Sequence, residues 1–244
     1  MGYKVIDLLS DYLEQVQTDM EYPVLPYHHP EDELDFWQHD FTSNSDILSV
    51  FKNVLNRSVH VSHPRYMGHQ MASPALISTL VAPLIDILNN GSAVYEMGMV
   101  GNAIEKVVTD FMKEKIGFGD NASGFLTSGG TLANFTALLA ARKTKASNNV
   151  WENGYEQKLA IMVSEEAHYS IERAIKILGL GEKGIIKLPV DDNLCIQTKV
   201  LDKYLMKAKE DGLHVIAIIG SAATTSTGSY DNFEELRNFA TKHN

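Results

Sequence analysis

GFLTSGGTLANF, residues 124–135, joins the apolar end of a predicted strand at 125–126 to the beginning of a helix through two glycines flanked by hydroxyl side chains. The first turn of a helix leaves backbone N–H groups unpaired and carries the positive end of the helix dipole, and glycine lets the chain approach an anion closely. Ser128 and Thr131 add hydroxyl donors. The segment predicts a phosphate cradle, with a ligand-free strand–turn–helix connection as the alternative that the loop alone leaves open.

Strands and helices alternate after this loop. Apolar residues recur at helical spacing to about residue 142, and three short apolar runs follow at 159–163, 185–188 and 214–220. Helical patterns follow the three runs at about 170–178, 200–210 and 233–243, the last with Asp231 and Glu234 as a predicted capping box. Uninterrupted apolar strands between helices indicate a mostly parallel sheet covered on both faces, which is an α/β fold.

The N-terminal residues predict an arm rather than a domain. An amphipathic helix reaches about residue 20, a proline-rich stretch at 22–30 breaks it, and a second helix covers 46–55 with Asn44 or Ser45 as its cap. Helices at 74–88 and 100–115 lead into the alternating part. We therefore expect residues 1–73 to form an N-terminal arm with a substrate-side segment and residues 74–244 to form the first part of a large domain.

The end of the sequence is unusual for this architecture. A covering helix in an α/β sheet normally returns the chain to another strand, but here the sequence stops after the last predicted helix. We expect a truncated chain, and a natural C-terminal helix is the alternative.

Composition restricts the partners and the compartment. The formal net charge of −10 argues against a nucleic-acid partner, which is normally bound by a basic surface. The single cysteine, Cys195, excludes an internal disulfide and a cysteine-based zinc site, and no export signal or membrane span is visible, so we predict a cytoplasmic protein. His60, His63 and His69 lack a recognisable metal-ligand spacing, and no metal site is predicted.

Polar residues follow three strands at the edge where an α/β fold binds its ligand. They are the phosphate loop, the segment 164–170 with His168, and the hydroxyl-rich segment 222–229 with Thr225. Clustered polar loops at one sheet edge favour a ligand site over a structural role for His168.

These motifs, in this order, resemble those of the group II pyridoxal-phosphate-dependent amino acid decarboxylases, the family of the aromatic amino acid, glutamate, cysteine sulfinate and diaminobutyrate enzymes. The resemblance covers most of the chain. The motifs that carry it are HPRY at 63–66, VYEM at 94–97 with Ile104 and Glu105, TSGGT at 127–131 through Arg142, EAHYSIERA at 166–174, and Thr224 and Thr225 with SYDN at 229–232.

The resemblance implies roles for individual residues. Gly130 and Thr131 would hold the phosphate of pyridoxal phosphate, His168 would stack on its pyridine ring, and Thr225 would contact it near the ring. His69 and Gln70 are candidate substrate contacts, with a structural role as the alternative. The fold implied is the N-terminal portion of the aspartate-aminotransferase-like, type I fold, in a homodimer.

The implied reaction is decarboxylation of an L-amino acid. The family's Schiff-base lysine and ring-nitrogen aspartate correspond to positions beyond Asn244, and Lys187 precedes the threonine motif and does not match that lysine. We therefore expect this chain to be inactive alone. Three alternatives stay open: another reaction on the same cofactor, such as transamination or desulfuration; an inactive fragment that acts through dimer contacts; and a phosphate-binding module unrelated to pyridoxal.

Overall fold

The computed structural model describes residues 1–43 and 46–243, in two compact units, Met1–Gly91 and Ser92–Asn244. The predicted division into an N-terminal arm, residues 1–73, and a large domain, residues 74–244, concerns the roles of these segments. It stays a prediction.

The first unit is helical. Its helices within the described residues are α1 (Gly2–Thr18), α2 (Pro30–Ser43), α3 (Ile47–Arg57) and α4 (Leu76–Leu88). The predicted helices α1, α3 and α4 are confirmed with boundaries shifted by a few residues. Val16 of the α1 apolar stripe is fully buried, whereas Met20 lies past the end of α1 and is exposed.

Helix α2 is not among the helices predicted from the sequence. The proline-rich stretch at 22–30 predicts a helix break, but Pro30 occupies the first helical position, where its missing N–H costs nothing. Glu31, Asp32 and Glu33 fill the first turn and favour the positive end of the helix dipole. The proline therefore begins a helix here.

Helix α3 is capped by Asp46, whose carboxylate accepts a hydrogen bond from the Leu48 N–H at 3.2 Å. The predicted caps, Asn44 and Ser45, lie outside the described residues.

The second unit carries the sheet. Its elements are α5 (Tyr95–Ile116), α6 (Gly130–Lys145), α7 (Val150–Asn153), β1 (Lys158–Ser164), α8 (Tyr169–Ile177), β2 (Ile185–Leu188), α9 (Leu201–Glu210), β3 (Leu213–Ile219) and α10 (Phe233–His243). The strands predicted at 159–163, 185–188 and 214–220 are confirmed, and so are the helices that follow them. Helix α5 begins at Tyr95 instead of the predicted residue 100.

The three strands form a parallel sheet in the order β2–β1–β3, with β1 in the centre. Side chains of β1 point alternately to two apolar clusters. Ile161 and Val163 pack with residues of α6 and α8, while Met162 packs with residues of α9 and α10. Both faces of β1 are buried, which explains its uninterrupted apolar sequence and confirms the predicted covered sheet.

The strand predicted at residues 125–126 is wrong. Phe125 and Leu126 belong to no helix or strand and pair with no strand among the described residues, and both side chains are exposed. The Leu126 N–H instead donates to Glu105 at 2.7 Å. An apolar pair forms a strand only when a neighbouring strand supplies the hydrogen bonds.

The cap predicted for the last helix is displaced by one residue. Asn232, not Asp231, caps α10, because its side-chain oxygen accepts from the Glu235 N–H at 3.2 Å. Asp231 is buried and accepts from two distant backbone N–H groups, those of Ile196 at 2.8 Å and Ser221 at 2.7 Å. Its carboxylate holds the loop after β3 instead of the helix.

Candidate active site

The phosphate loop ends in an open helix start. Helix α6 begins at Gly130, with Gly129 as its N-cap, and no side chain of the described residues caps it. The Gly129 carbonyl accepts from the Leu132 and Ala133 N–H groups, both at 3.1 Å. The N–H groups of Gly130 and Thr131 precede them in the first turn, where a helix has no carbonyl of its own to accept them. A Cβ added to Gly129 or Gly130 would meet no atom within 4 Å. The loop therefore offers backbone donors beside open space.

A groove of about 550 Å³ runs along this loop. Its lining comes from the loop and the first turns of α6 on one side and from α8 on the other: Ser128, Gly129, Gly130, Thr131, Leu132, Phe135, Arg173, Ala174 and Ile177. The Arg173 guanidinium lies 4.7 Å above the centre of the Tyr169 ring. The groove thus lies between the residues predicted to bind phosphate and α8, the helix that follows His168.

His168 follows the carboxyl end of β1 and is the N-cap of α8. Its Nδ1 accepts from the Ser170 N–H at 3.2 Å and lies 2.8 Å from the Ser170 hydroxyl. The ring is half-buried, and its centre lies 4.2 Å from that of Tyr169. Helix capping therefore fixes one edge of the imidazole.

A hydrogen bond links this histidine to the phosphate-loop helix. The Asn134 side-chain amide donates to the Ser170 hydroxyl at 3.0 Å, and Ser170 is fully buried. Asn134 and Ser170 are not among the site residues predicted from the sequence. Asn134 lies four residues after Gly130, so both are on one face of α6. This spacing was the sequence signal that could have placed Asn134 near the phosphate loop.

Thr225 lies in the loop after β3, at the same edge of the parallel sheet as the segment after β1, and its side chain is exposed. Its neighbour Thr224 is buried, and the Thr224 hydroxyl contacts the hydroxyls of Thr227 and Ser229. These three hydroxyl groups therefore stabilise the loop through contacts within it. The Asp231 carboxylate, which sequence reasoning assigned to a cap, anchors the same loop through Ser221.

His69 and Gln70 belong to the first unit and are exposed. Their φ angles are 51° and 48°, in the left-handed region that side chains with a Cβ rarely adopt. Their predicted contact with substrate stays a prediction.

Two of the three histidines considered as metal ligands, His60 and His63, have other partners. The His60 Nδ1 lies 2.8 Å from the Tyr12 hydroxyl, and the His63 Nδ1 accepts from the Arg65 N–H at 3.0 Å. Burial, with a smaller contribution from His63, lowers the pKa of His60. Within residues 1–43 and 46–243, no group of three or more His, Cys, Asp or Glu side chains is arranged to hold a metal ion.

Lys187 is committed to an ion pair. Its Nζ lies 2.5 Å from the Glu172 carboxylate, across from β2 to α8. The hydrogen bond and the negative charge of Glu172 raise the pKa of Lys187, and the same contact lowers the pKa of Glu172. A lysine held protonated is a poor nucleophile at neutral pH.

Comparison with known proteins identifies the family. The chain matches the model of the pyridoxal-dependent decarboxylase conserved domain over residues 27–244. The chain belongs to this family. The match confirms the predicted resemblance and pyridoxal phosphate as the family's cofactor. Membership also gives the groove a context, because it runs beside the loop expected to hold the cofactor phosphate.

Curated relatives are decarboxylases of several amino acids. The chain is 28% identical to an aromatic-L-amino-acid decarboxylase of Bacillus atrophaeus, over 97% of this chain and 48% of that protein. It is 29% identical to a glutamate decarboxylase of Drosophila melanogaster, over 99% of this chain and 48% of that protein. The chain therefore spans about half the length of these relatives.

Solved structures confirm the predicted fold class. The crystal structure of mouse CSAD matches with a TM-score of 0.90 at 21% identity, covering 98% of this chain and 51% of that one. The glutamate decarboxylase domain of a Vibrio parahaemolyticus protein matches with a TM-score of 0.86 at 23% identity, covering 99% and 55%. At these identities the likeness concerns the fold.

No helix in the described part of the chain combines the length and the apolar character needed to cross a bilayer.

Proposed function

We propose that this chain supplies the phosphate-binding wall of a pyridoxal phosphate site in an enzyme that decarboxylates an L-amino acid to the amine and CO2. The observation that carries the proposal is the uncapped glycine start of α6, joined through Asn134 and Ser170 to His168, in a member of a pyridoxal-dependent family. When bound, pyridoxal phosphate supplies a sink for the electrons released as the carboxylate leaves.

The residues present fit the phosphate of this cofactor. The first-turn N–H groups of Gly130 and Thr131 are donors for an anion, and the missing Cβ of each adjacent glycine leaves room for it. Thr131 adds a hydroxyl at the same turn. A dianion needs several such donors, and this helix start provides them without a lysine.

His168 and Thr225 have roles away from the phosphate. We propose that the imidazole of His168 would stack on the ring of the bound cofactor and hold its orientation. Its fixed edge at Nδ1 supports this role. Thr225 would contact the cofactor near the ring, and its side chain is exposed, whereas the hydroxyls of Thr224 and Ser229 contact each other. His69 and Gln70 are proposed for the substrate side.

We further propose that no lysine of this chain takes the Schiff-base role and that the chain alone is inactive. Lys187 is held protonated by Glu172. Borohydride reduction of the chain with pyridoxal phosphate, followed by intact mass analysis and peptide mapping, tests this. We expect scattered, substoichiometric labelling of surface lysines, and a single stoichiometric adduct at one lysine would contradict the proposal.

The exposed apolar surface supports a larger assembly. In α4, Ile77, Leu84 and Ile87 are all more than half exposed, and in α5, Val100 and Val107 are as well. Surfaces of this kind on a soluble chain mark sites that other protein covers. We propose a homodimer of the complete enzyme, located in the cytoplasm, with an amino acid as the substrate. Sedimentation analysis of the chain at several concentrations tests for self-association.

Titration with pyridoxal phosphate, followed by its absorption and induced circular dichroism, tests the site itself. We expect saturable binding that is weakened by Thr131→Val and by His168→Ala. Thr144→Val is the matched control, since Thr144 is an exposed threonine at the other end of α6. Equal binding by all four proteins would overturn the proposed site.

A further inference from the structure

We infer that Asn134 and Ser170 are positioning residues that keep the proton of neutral His168 on Nε2, so that its free edge is a hydrogen-bond donor. The inference rests on the proposed function for its catalytic meaning, but the state of the histidine is a property of this chain. Neither residue is among those that the family resemblance assigned to the cofactor.

The direction of the hydrogen bonds follows from the donors available. The Ser170 N–H can only donate, and it points to Nδ1 of His168 at 3.2 Å. The Asn134 amide nitrogen can only donate, and it points to the Ser170 hydroxyl oxygen at 3.0 Å. The Ser170 hydroxyl then has its proton left for Nδ1, 2.8 Å away. Nδ1 receives hydrogen bonds from both groups and carries no proton itself.

Burial of Ser170 prevents water from changing this pattern of hydrogen bonds. Ser170 has no solvent exposure, so water cannot replace a lost partner of its hydroxyl. The reverse tautomer would turn Nδ1–H toward the Ser170 N–H and set two donors against each other. The imidazole of a neutral histidine has one proton, which is therefore on Nε2.

The network also connects two parts of the proposed site. Asn134 lies one turn after the phosphate-loop glycines on α6, and His168 begins α8. A shift of α6 would move Asn134 and release the Ser170 hydroxyl. The contact between Asn134 and Ser170 thus links the helix that begins at the phosphate cradle to the imidazole, and Nε2–H is the edge left for a ligand.

Nuclear magnetic resonance tests the inference on the 244-residue chain without cofactor. Long-range ¹H–¹⁵N correlation distinguishes a protonated ring nitrogen from an unprotonated one, and His168→Gln assigns the signals. Above pH 7.5 we expect the Nε2–H form of His168 to predominate. A wild-type spectrum with Nδ1–H as the major form would overturn the inference without any variant.

Asn134→Asp gives the sharpest variant. A carboxylate cannot donate to Ser170 and accepts its hydroxyl proton instead, so the serine oxygen becomes an acceptor for His168. The Ser170 N–H still faces Nδ1, so we expect the share of the Nδ1–H form to rise without that form replacing the other completely. Asn238→Asp makes the same chemical change on the exposed surface of α10 and should leave the tautomer unchanged. An unchanged tautomer in Asn134→Asp would contradict the inference.

Ser170→Ala has a buried control. Ser164 is also a buried serine near the end of β1, but its hydroxyl oxygen accepts from the Glu166 N–H at 3.1 Å and does not contact His168. Both substitutions remove a buried hydroxyl. We expect only Ser170→Ala to change the tautomer ratio, by about fivefold, the equilibrium effect of one typical hydrogen bond. Equal ratios in the two variants would show a structural role only.

The same samples separate this inference from the proposed function. Binding of pyridoxal phosphate to a chain whose His168 carries Nδ1–H would refute the network and leave the cofactor site standing. An Nε2–H histidine whose signals do not respond to pyridoxal phosphate would refute the cofactor site and leave the network standing.

Discussion

Different interactions stabilise the interior of each of the two units. In the first unit, Val16 is the one fully buried apolar side chain among the described residues, and polar contacts connect the helices. Arg57 forms a two-pronged ion pair with Glu33 and lies 3.9 Å from the centre of the Phe36 ring. In the second unit, β1 is buried on both faces between apolar layers. The contrast indicates that the second unit has an apolar core of its own, whereas the described residues of the first unit bury little apolar surface.

The largest expected difference between the units comes from core truncation. Ile161 has no solvent exposure and lies at the centre of β1, so Ile161→Ala should lower the free energy of unfolding of the second unit by about 2–5 kcal/mol. Ile77→Ala on α4 changes the same side chain at 68% exposure and should cost less than about 0.5 kcal/mol. Urea unfolding measures the free energy of unfolding of both variants. Equal losses would contradict the difference in core packing between the two units.

The next difference is a response to acid. Burial holds the pKa of His60 below its ordinary value, so below about pH 6.5 the unfolded chain takes up the proton first. The free energy of unfolding of the first unit should therefore fall as the pH drops from 7.5 toward 5. Trp37 lies in the first unit, and in the Trp151→Phe variant it reports that unit alone.

His60→Gln is the control for the acid response, because glutamine does not titrate in this range. The pH dependence of the Trp37 transition should flatten in this variant. The hypothesis fails if wild type and variant lose stability in parallel. It also fails if the second unit, followed through Trp151 in Trp37→Phe, shows the same acid response.

The smallest effect is expected at the ion pair of Glu172 and Lys187. Both side chains are more than a third exposed, and exposed pairs contribute at most about 1 kcal/mol. Because the pKa of Glu172 is lowered, its contribution is present at neutral pH and is lost as the pH falls through that pKa. Glu172→Gln should lower the urea midpoint of the second unit slightly at pH 7 and not at pH 3. Glu156→Gln, at an exposed position, is the matched control, and a loss that persists at pH 3 would count against the pair.

The second unit could be predicted well from the sequence because burial leaves a pattern. The run at 159–163 is apolar throughout, and β1 is buried on both faces. The first unit was predicted less well. A proline such as Pro30 occurs both where a helix ends and where one begins, so the residue alone does not distinguish the two. Only the acidic residues 31–33 after it indicated α2.

Contacts between distant residues could not be predicted. Asp231 has the sequence context of a cap, but the N–H groups of Ile196 and Ser221 come from other segments and take both of its oxygens. Phe125 and Leu126 have strand composition but no pairing partner within the described chain. Ser170 is an ordinary helix-start serine in the sequence, and its position between Asn134 and His168 emerges only when α6 packs on α8.

We propose that the start of α6 and His168 form one cofactor site. Titration of the ¹⁵N-labelled chain with pyridoxal phosphate and, separately, with inorganic phosphate examines both parts of that site at once. We predict that pyridoxal phosphate shifts the amide signals of Gly130 and Thr131 and the ring signals of His168 along one binding curve, while inorganic phosphate shifts the amides alone. Unchanged amide signals at Gly130 and Thr131, or a His168 response with a different affinity, would contradict the claim.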